Sequence, residues 1–534
     1  MGSTVSRLRL IYQTIKAISD SFSVLSTRIP LDPGLPVPNP SASYWCFPPS
    51  SLDAPVPGED SKALPLPPHA DVVIIGSGIA GTAVARTLLD NTKDLDPPLR
   101  VVMLEARDVC SGATGRNGGH ISPNTHQDYP QLESHYGRSA AEDIIRFRLA
   151  HLPTLLQVAQ EENLLRESQA RTVRQFDVYL QGSLFSRAKD SLQKYLDVLP
   201  DMREKHKMHE DRAVFEDLQL SSRTTGCISQ PGGALHPYRL VTGILRRLIS
   251  SYPSFSLHTH TPCIDISSTT SSLYLISTPR GTLTSTHVIH AANAWTSSNG
   301  LLPGMRRKIV PVRVHMTAQR PGTGLSSNEQ DKPGRAFVFY PGKTPWGFDY
   351  LTQQLSEPQA GALMFGGGAM LGGRAEAVAM DNIGIFDDSE TDFEVEAYLG
   401  GALQRYFALG WGSEAGRLED NSQWEPGRIL ASWSGIMGLS ADGQPWVGRV
   451  PRAVSGRAGE GEWIVAGFTG EGMTHAWLCG VEVARMVLRA HLGKSGNGSA
   501  EDGEQVRFPQ QYLITEKRWQ DADIEAFLGD VGAA

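Results

Sequence analysis

The stretch DVVIIGSGIAGTAVARTLL, residues 71–89, allows few folds. Val72, Val73, Ile74 and Ile75 read as a buried strand, and the small-residue segment after them reads as a helix. Gly76, Gly78 and Gly81 stand at the join in GxGxxG spacing. The first glycine permits a tight turn, the second lets a pyrophosphate approach, and the third lets helix meet strand. Ile79 and Ala80 open the helix, whose free N–H groups can meet phosphate. LRVVMLEA then supplies a second buried strand ending in Glu105, and the interval holds the helix of a βαβ unit. A carboxylate there can accept both ribose hydroxyls and repels the 2′-phosphate of NADP.

Which dinucleotide is expected follows from ARDVCSGATGRNGGH, a second small-residue loop carrying Thr114, Arg116, Asn117, Gly118 and Gly119. An NAD enzyme has no use for it. A flavin dinucleotide does, because its ribityl chain and ring continue past the pyrophosphate and need close backbone approach. Near the carboxy terminus, AGFTGEGMTHA places Gly467, Gly470 and Gly472 before a helix. The positive end of that helix can stabilise charge that grows around N1 and the C2 oxygen when hydride reaches flavin N5.

The expected fold class is α/β, with a Rossmann-type FAD-binding domain interleaved with a mixed α+β substrate domain. Residues 1–69 form an extension and proline-rich linker, in which Tyr44, Trp45, Cys46 and Phe47 are an aromatic cluster expected to dock on the body. The FAD-binding parts are 70–132, 225–305 and 425–492; the substrate parts are 133–224, a helical insertion, and 306–424. Residues 493–534 are a polar tail, opened by the mobile-looking GKSGNGSAEDGE. The 534 residues, 40% hydrophobic and 20% charged, can support more than one structural unit. A net charge of −8 without a basic run argues against a nucleic-acid surface. No apolar run reaches membrane-spanning length, and five cysteines without CxxC spacing indicate neither a metal site nor a disulfide framework.

GATGRNGGH, GGALHPYRL, VIHAANAW, VPVR, SGIMGLSADGQPWVGR and GFTGEGMTHA follow one another in an order that resembles the D-amino-acid oxidase superfamily of flavoproteins. Glycine and sarcosine oxidases and γ-glutamylputrescine oxidoreductases belong to it, and the chain is most similar to its fungal members. The resemblance covers residues 71–489. It implies FAD contacts from Gly76, Gly78, Gly81, Glu105, Arg107, Thr114, Asn117, Gly118, Gly119, Gly470, Gly472 and Met473, with Ala106 and Thr474 as neighbouring cofactor-binding candidates. It also implies oxidation of an amine or amino acid to an imine, with oxygen or another acceptor taking the electrons. Members that hold flavin covalently near the carboxy terminus use a cysteine, which is missing between Trp424 and Met437, so non-covalent FAD is expected.

Hydride transfer asks chiefly for positioning. Trp346, Asp349 and Tyr350 in TPWGFDYLTQ are candidates to face the ring, the carboxylate to hold an amine and the aromatics to cage it; a surface hairpin is the alternative. Arg313 and His315 share one strand face, as anion anchor or as packing, and His120 adjoins the flavin loop. Lys343 is a cation able to favour reaction with oxygen, and His236 opens a helix. Two other functions stay open: oxidation of an alcohol or ring carbon in fungal secondary metabolism, and a flavin-binding protein that acts by interaction or in trafficking. The expected location is intracellular and cytoplasmic. A basic amino terminus and MGSTVS keep a mitochondrial or membrane-peripheral address open.

Overall fold

The computed structural model describes residues 2–53, 65–269, 273–321, 325, 334–342, 347–355, 361–368, 381–408, 428–493 and 506–533. Its first strand, His69–Ile75, is buried from Val72 onward and lies between Val101–Leu104 and Gly281–His290, both parallel to it. Phe255–His258 and Glu462–Ala466 extend the parallel run on either side; residues 72–75 and 101–104 at its centre are continuous apolar runs, whereas Phe255–His258 and Gly281–His290 carry polar residues. Trp446–Arg449 closes one edge antiparallel, and the hairpin Asp265–Ser268 with Tyr274–Thr278 branches from the start of Gly281–His290. The helices Ile79–Asn91 and Ala476–His491 pack together. They meet at Gly480, where a Cβ would lie 2.7 Å from the Ala80 carbonyl oxygen.

A second sheet, with nine strands among the described residues, is mostly antiparallel. Its order is Ile429–Ser440, Ile309–Gln319, Leu363–Gly367, Asp349–Gln353, Arg335–Tyr340, Arg171–Tyr179, Gly226–Ala234 and His120–Ile121, with Lys207–His209 added beside Gly226–Ala234. Only Arg335–Tyr340 on Arg171–Tyr179 is parallel. Gly226–Ala234 and Ile429–Ser440 fall inside ranges predicted for the nucleotide-binding part, yet both hydrogen-bond in this sheet. A mostly buried run marks a strand without saying which sheet receives it. The helix Phe393–Tyr406 covers the outer face, and the Gln319 side-chain amide donates to the Leu399 carbonyl at 3.0 Å. The architecture is thus α/β, a Rossmann-type sheet interleaved along the chain with a mixed sheet.

Both termini are tied to this body. The helix Gly2–Arg28 ends in Leu25 and, just after it, Ile29, which join a cluster with Leu302, Met305 and Ile309. Among its described residues the proline-rich segment has almost no regular structure beyond the short 3-10 turn Tyr44–Cys46, but Trp45 is only 2% exposed. GKSGNGSAEDGE lies mostly outside the described residues; beyond it, the polar tail returns to the body. Tyr512 there is fully buried, and Arg518 binds Asp442 through two nitrogens at 2.7 and 2.9 Å while stacking 3.9 Å above Trp446. Among the described residues no helix is long and apolar enough to cross a membrane.

Candidate functional site

The first glycine turn has the tolerances its sequence requires. Gly76 has φ +109°, and a Cβ there would come within 2.6 Å of the Ala291 carbonyl oxygen. At Gly81 a Cβ would meet the Gly76 carbonyl oxygen at 2.1 Å, so the helix can start against the strand only without a side chain. The helix Ile79–Asn91 begins with no side-chain cap from Gly78, and the Ile79 N–H donates to Thr114 Oγ1 at 3.0 Å. Glu105 is fixed where the second strand ends. Its Oε2 accepts from the Ser77 N–H and hydroxyl at 3.0 and 2.6 Å, and its Oε1 accepts from the Arg107 N–H at 3.1 Å.

The second loop is a short helical turn, Ala113–Arg116, closed by Asn117. Asn117 Oδ1 accepts from the Gly119 N–H at 2.7 Å, while its amide donates back to the Thr114 carbonyl at 3.1 Å. Tyr350 lies against Gly118, where a Cβ would fall 2.4 Å from the tyrosine ring. Gly119 has φ +71° and abuts the Leu235 carbonyl. Arg116 is buried and donates to the carbonyls of Ser111, Ser434 and Ser41 at 2.7, 2.7 and 2.8 Å. Burial holds its pKa below the usual arginine value against the opposing pull of Asp388.

The third turn joins Glu462–Ala466 to the helix Ala476–His491. Gly467, Thr469 and Gly470 all have positive φ, and the Gly467 N–H donates to Asn293 Oδ1 at 3.0 Å. Thr474 bonds internally, its hydroxyl donating to the Glu471 carbonyl at 3.1 Å.

These three turns open on one cavity of about 1010 Å³. Gly76, Gly78, Ile79 and Ala80 line it from the first turn, with Glu105, Ala106 and Arg107 beside them. Thr114, Arg116 and Asn117 line it from the second, and Gly470, Gly472 and Met473 from the third. Gly81, Gly118, Gly119, Gly467 and Thr474 stand behind this surface and shape the turns. A helix start whose N-cap is a glycine without a side chain, a pinned carboxylate one strand away and glycines with no room for a Cβ fit an extended dinucleotide such as FAD.

The residues predicted to act on substrate part company. Tyr350 and Phe348 line the cavity, with the Tyr350 hydroxyl 3.1 Å from the Met316 sulfur. Asp349 is not among the lining residues. It points to the opposite face of its strand, where Oδ2 accepts from the Tyr398 and Tyr406 hydroxyls at 2.6 and 2.5 Å and Oδ1 from the Gly368 N–H at 2.7 Å. Burial raises its pKa despite these donors. Strand alternation is the reason: adjacent residues cannot both face the ring.

His120 packs edge-on against Tyr350, its ring centroid 5.5 Å away, and burial pushes its pKa down to about 3. Neither ring nitrogen has a hydrogen-bond partner among the described residues. Arg313 and His315 line the cavity from one strand. Arg313 Nε donates to Asn382 Oδ1 at 3.1 Å, and His315 Nε2 accepts from the Asp392 N–H at 2.8 Å. His236 caps its helix through Nδ1. Trp346 and Lys343 lie outside the described residues.

Two features had no local signal. Asp388, in a segment with no motif, binds Arg107 and faces Arg116. Asp128, Arg148 and Glu471 also line the cavity, with Arg148 bridging the two carboxylates at 2.7 and 3.6 Å. Glu471 lies inside GFTGEGM and so could have been questioned as the one charged residue of that turn.

Known proteins share this fold. The FAD dependent oxidoreductase family model matches residues 71–486. Glycine oxidase from Geobacillus kaustophilus superposes with a TM-score of 0.58 at 18% identity, covering 84% of this chain and 99% of that one. L-proline dehydrogenase from P. horikoshii gives 0.60 at 16% identity, covering 86% and 100%. Gamma-glutamylputrescine oxidoreductase of Escherichia coli (strain K12) is 25% identical over 250 residues, which span 45% of this chain and 53% of that protein. Since the family match runs from the first strand of the parallel sheet into its last helix, the chain belongs to the FAD dependent oxidoreductases of the D-amino-acid oxidase superfamily.

Proposed function

We propose that the protein oxidises an amine or amino acid at a carbon bearing nitrogen, yielding an imine that water hydrolyses. The observation that carries this reading is the convergence of three separate glycine turns on one cavity whose further walls hold Tyr350, Phe348 and Arg313. FAD, when bound, supplies the acceptor for the hydride and passes the electrons to oxygen or another acceptor. Gly76, Gly78 and the helix start at Ile79 and Ala80 would hold its pyrophosphate, and Glu105 its ribose. Thr114, Asn117, Gly470, Gly472 and Met473 would flank the remainder. The attachment is non-covalent. Cys263 is the one cysteine lining the cavity among the described residues, and burial pushes its thiol up to about 12, leaving it protonated.

The chain's own work is positioning. Tyr350 is held flat by Gly118 and Met316 and offers an aromatic wall. Arg313 commits Nε to Asn382 and makes no hydrogen bond through its terminal nitrogens among the described residues, its charge acting also on the Asp387 carboxyl, and this leaves it able to take a substrate carboxylate. Amine and amino-acid chemistry is also what the names of the similar proteins describe: glycine oxidase, L-proline dehydrogenase and gamma-glutamylputrescine oxidoreductase.

The test is anaerobic mixing of the purified holoprotein with a panel of amines and amino acids. Bleaching of the visible flavin band by one class supports the reading. Bleaching only by alcohols would replace the substrate class, and a flavin reduced by dithionite but by none of these donors would favour a binding protein.

A further inference from the structure

From Leu25 to Trp45 the amino-terminal segment is anchored at successive points along the cavity. Leu25 and Ile29 are buried with Leu302 and Met305. Asp32 Oδ1 accepts from the Asn299 N–H at 3.1 Å and pairs with Arg306 at 3.2 Å. The Val37 carbonyl accepts from Arg107 at 3.3 Å. Ser41 donates its N–H to the Asp388 carbonyl at 2.7 Å and accepts from Arg116 at its own carbonyl at 2.8 Å. Further on, the Ser43 hydroxyl donates to the Gly115 carbonyl at 2.6 Å, and the Trp45 indole N–H donates to the Asn117 carbonyl. Between the Asp32 and Val37 anchors, Gly34, Leu35 and Pro36 line the cavity itself.

Leu35 is 47% exposed, an apolar side chain left open between two fixed points at the cavity wall. Its neighbour across the Val37 contact is Arg107, two residues beyond the carboxylate suited to ribose. We propose that residues 34–36 form part of the FAD site, closing over the adenosine half of the dinucleotide, so that the strap must lift for flavin to exchange. This rests on the FAD reading above and adds a wall that the family-matched residues do not contain. The chemistry recognised is a flat aromatic base beside a leucine and a proline, with no hydrogen-bond readout required.

The discriminating probe is flavin mononucleotide, which ends at its phosphate and lacks adenosine. Apoprotein is titrated with FAD and with flavin mononucleotide, following quenching of flavin fluorescence, for the full chain, Leu35→Asp, and Leu35→Ala combined with Pro36→Ala. The double variant keeps the test valid if the aspartate variant does not fold. FAD affinity is expected to fall about tenfold in the variants, with flavin mononucleotide affinity within about twofold of the full chain. Deletion of residues 2–22, upstream of the anchors named above, should change neither. Equal loss for both flavins, or no loss for either, overturns the strap proposal. Failure of the unaltered apoprotein to bind FAD would instead sink the cofactor reading.

Discussion

Asp388 accepts from both terminal guanidinium nitrogens of Arg107, at 2.8 and 3.1 Å, across 281 residues of sequence. Its Oδ2 also lies 3.6 Å from Nε of Arg116, and all three side chains are almost completely buried. One carboxylate therefore compensates two cations that hold the second loop and the strap together. Asp388→Ala leaves both charges without a counter-ion, and breaking a buried pair in this way costs about 3–5 kcal/mol. A urea midpoint lowered by that order is expected, with Asp388→Asn losing less because its amide keeps one acceptor. An unchanged midpoint for Asp388→Ala would show that water reaches the cluster.

Gly76→Ala tests the first turn. The added Cβ faces the Ala291 carbonyl at 2.6 Å, and φ +109° is strained for any L side chain, a combination worth about 1–3 kcal/mol. The strand and helix on either side are well buried, so far-ultraviolet circular dichroism should hardly change. Flavin content per purified protein should collapse, because the displaced helix start no longer meets the pyrophosphate. Full flavin occupancy in this variant would remove the first turn from the site.

The first turn was legible because its chemistry is local: glycine spacing, strand and helix all lie within twenty-odd residues. The same holds for the GATGRNGGH and GFTGEGMTHA turns, each recognisable from its own glycines. Asp388 was illegible because its partners are distant in sequence and its own surroundings carry no pattern. Asp349 failed differently. It stands next to Tyr350, and only the strand's register decides which of the two faces the cavity. The allocation of Gly226–Ala234 and Ile429–Ser440 to the second sheet was hidden for a related reason, since both are ordinary buried strands until their hydrogen-bond partners are known.

The Asp349 and Tyr350 pair offers a clean division between stability and turnover. Asp349→Ala removes the acceptor of three hydrogen bonds from Tyr398, Tyr406 and Gly368, a loss of about 1–3 kcal/mol for each buried group left unsatisfied. Thermal unfolding should drop by several degrees while kcat/KM per bound flavin stays near that of the unaltered enzyme. Tyr350→Phe should do the reverse, holding the unfolding temperature while shifting KM. If Asp349→Ala abolishes flavin reduction in protein that remains folded and loaded, the carboxylate reaches the substrate after all.

The Asp128–Arg148–Glu471 cluster sets an expected pH dependence. Burial pushes both carboxyls up, Glu471 to about 7, with Arg148 opposing the shift at each. Other titratable groups facing the cluster include His475, whose Nε2 accepts from Arg148 at 3.1 Å, and the tyrosines Tyr512, Tyr340 and Tyr136. A folded-state pKa above the unfolded value of about 4.3 means that the native state binds this proton more tightly than the unfolded chain. The contribution of Glu471 to stability is therefore complete below the unfolded value and is lost as pH rises through about 7. His475, held neutral by burial, acts in the opposite sense in acid, where the unfolded chain gains a proton that the native state refuses. Glu471→Gln removes the first effect and leaves the second. Urea midpoints compared at matched pH from about 5 to 8 should therefore show the unaltered protein losing ground to Glu471→Gln as pH rises. Parallel midpoint curves for the two proteins would mean that Glu471 is ionised throughout, paired with Arg148 strongly enough to outweigh its burial.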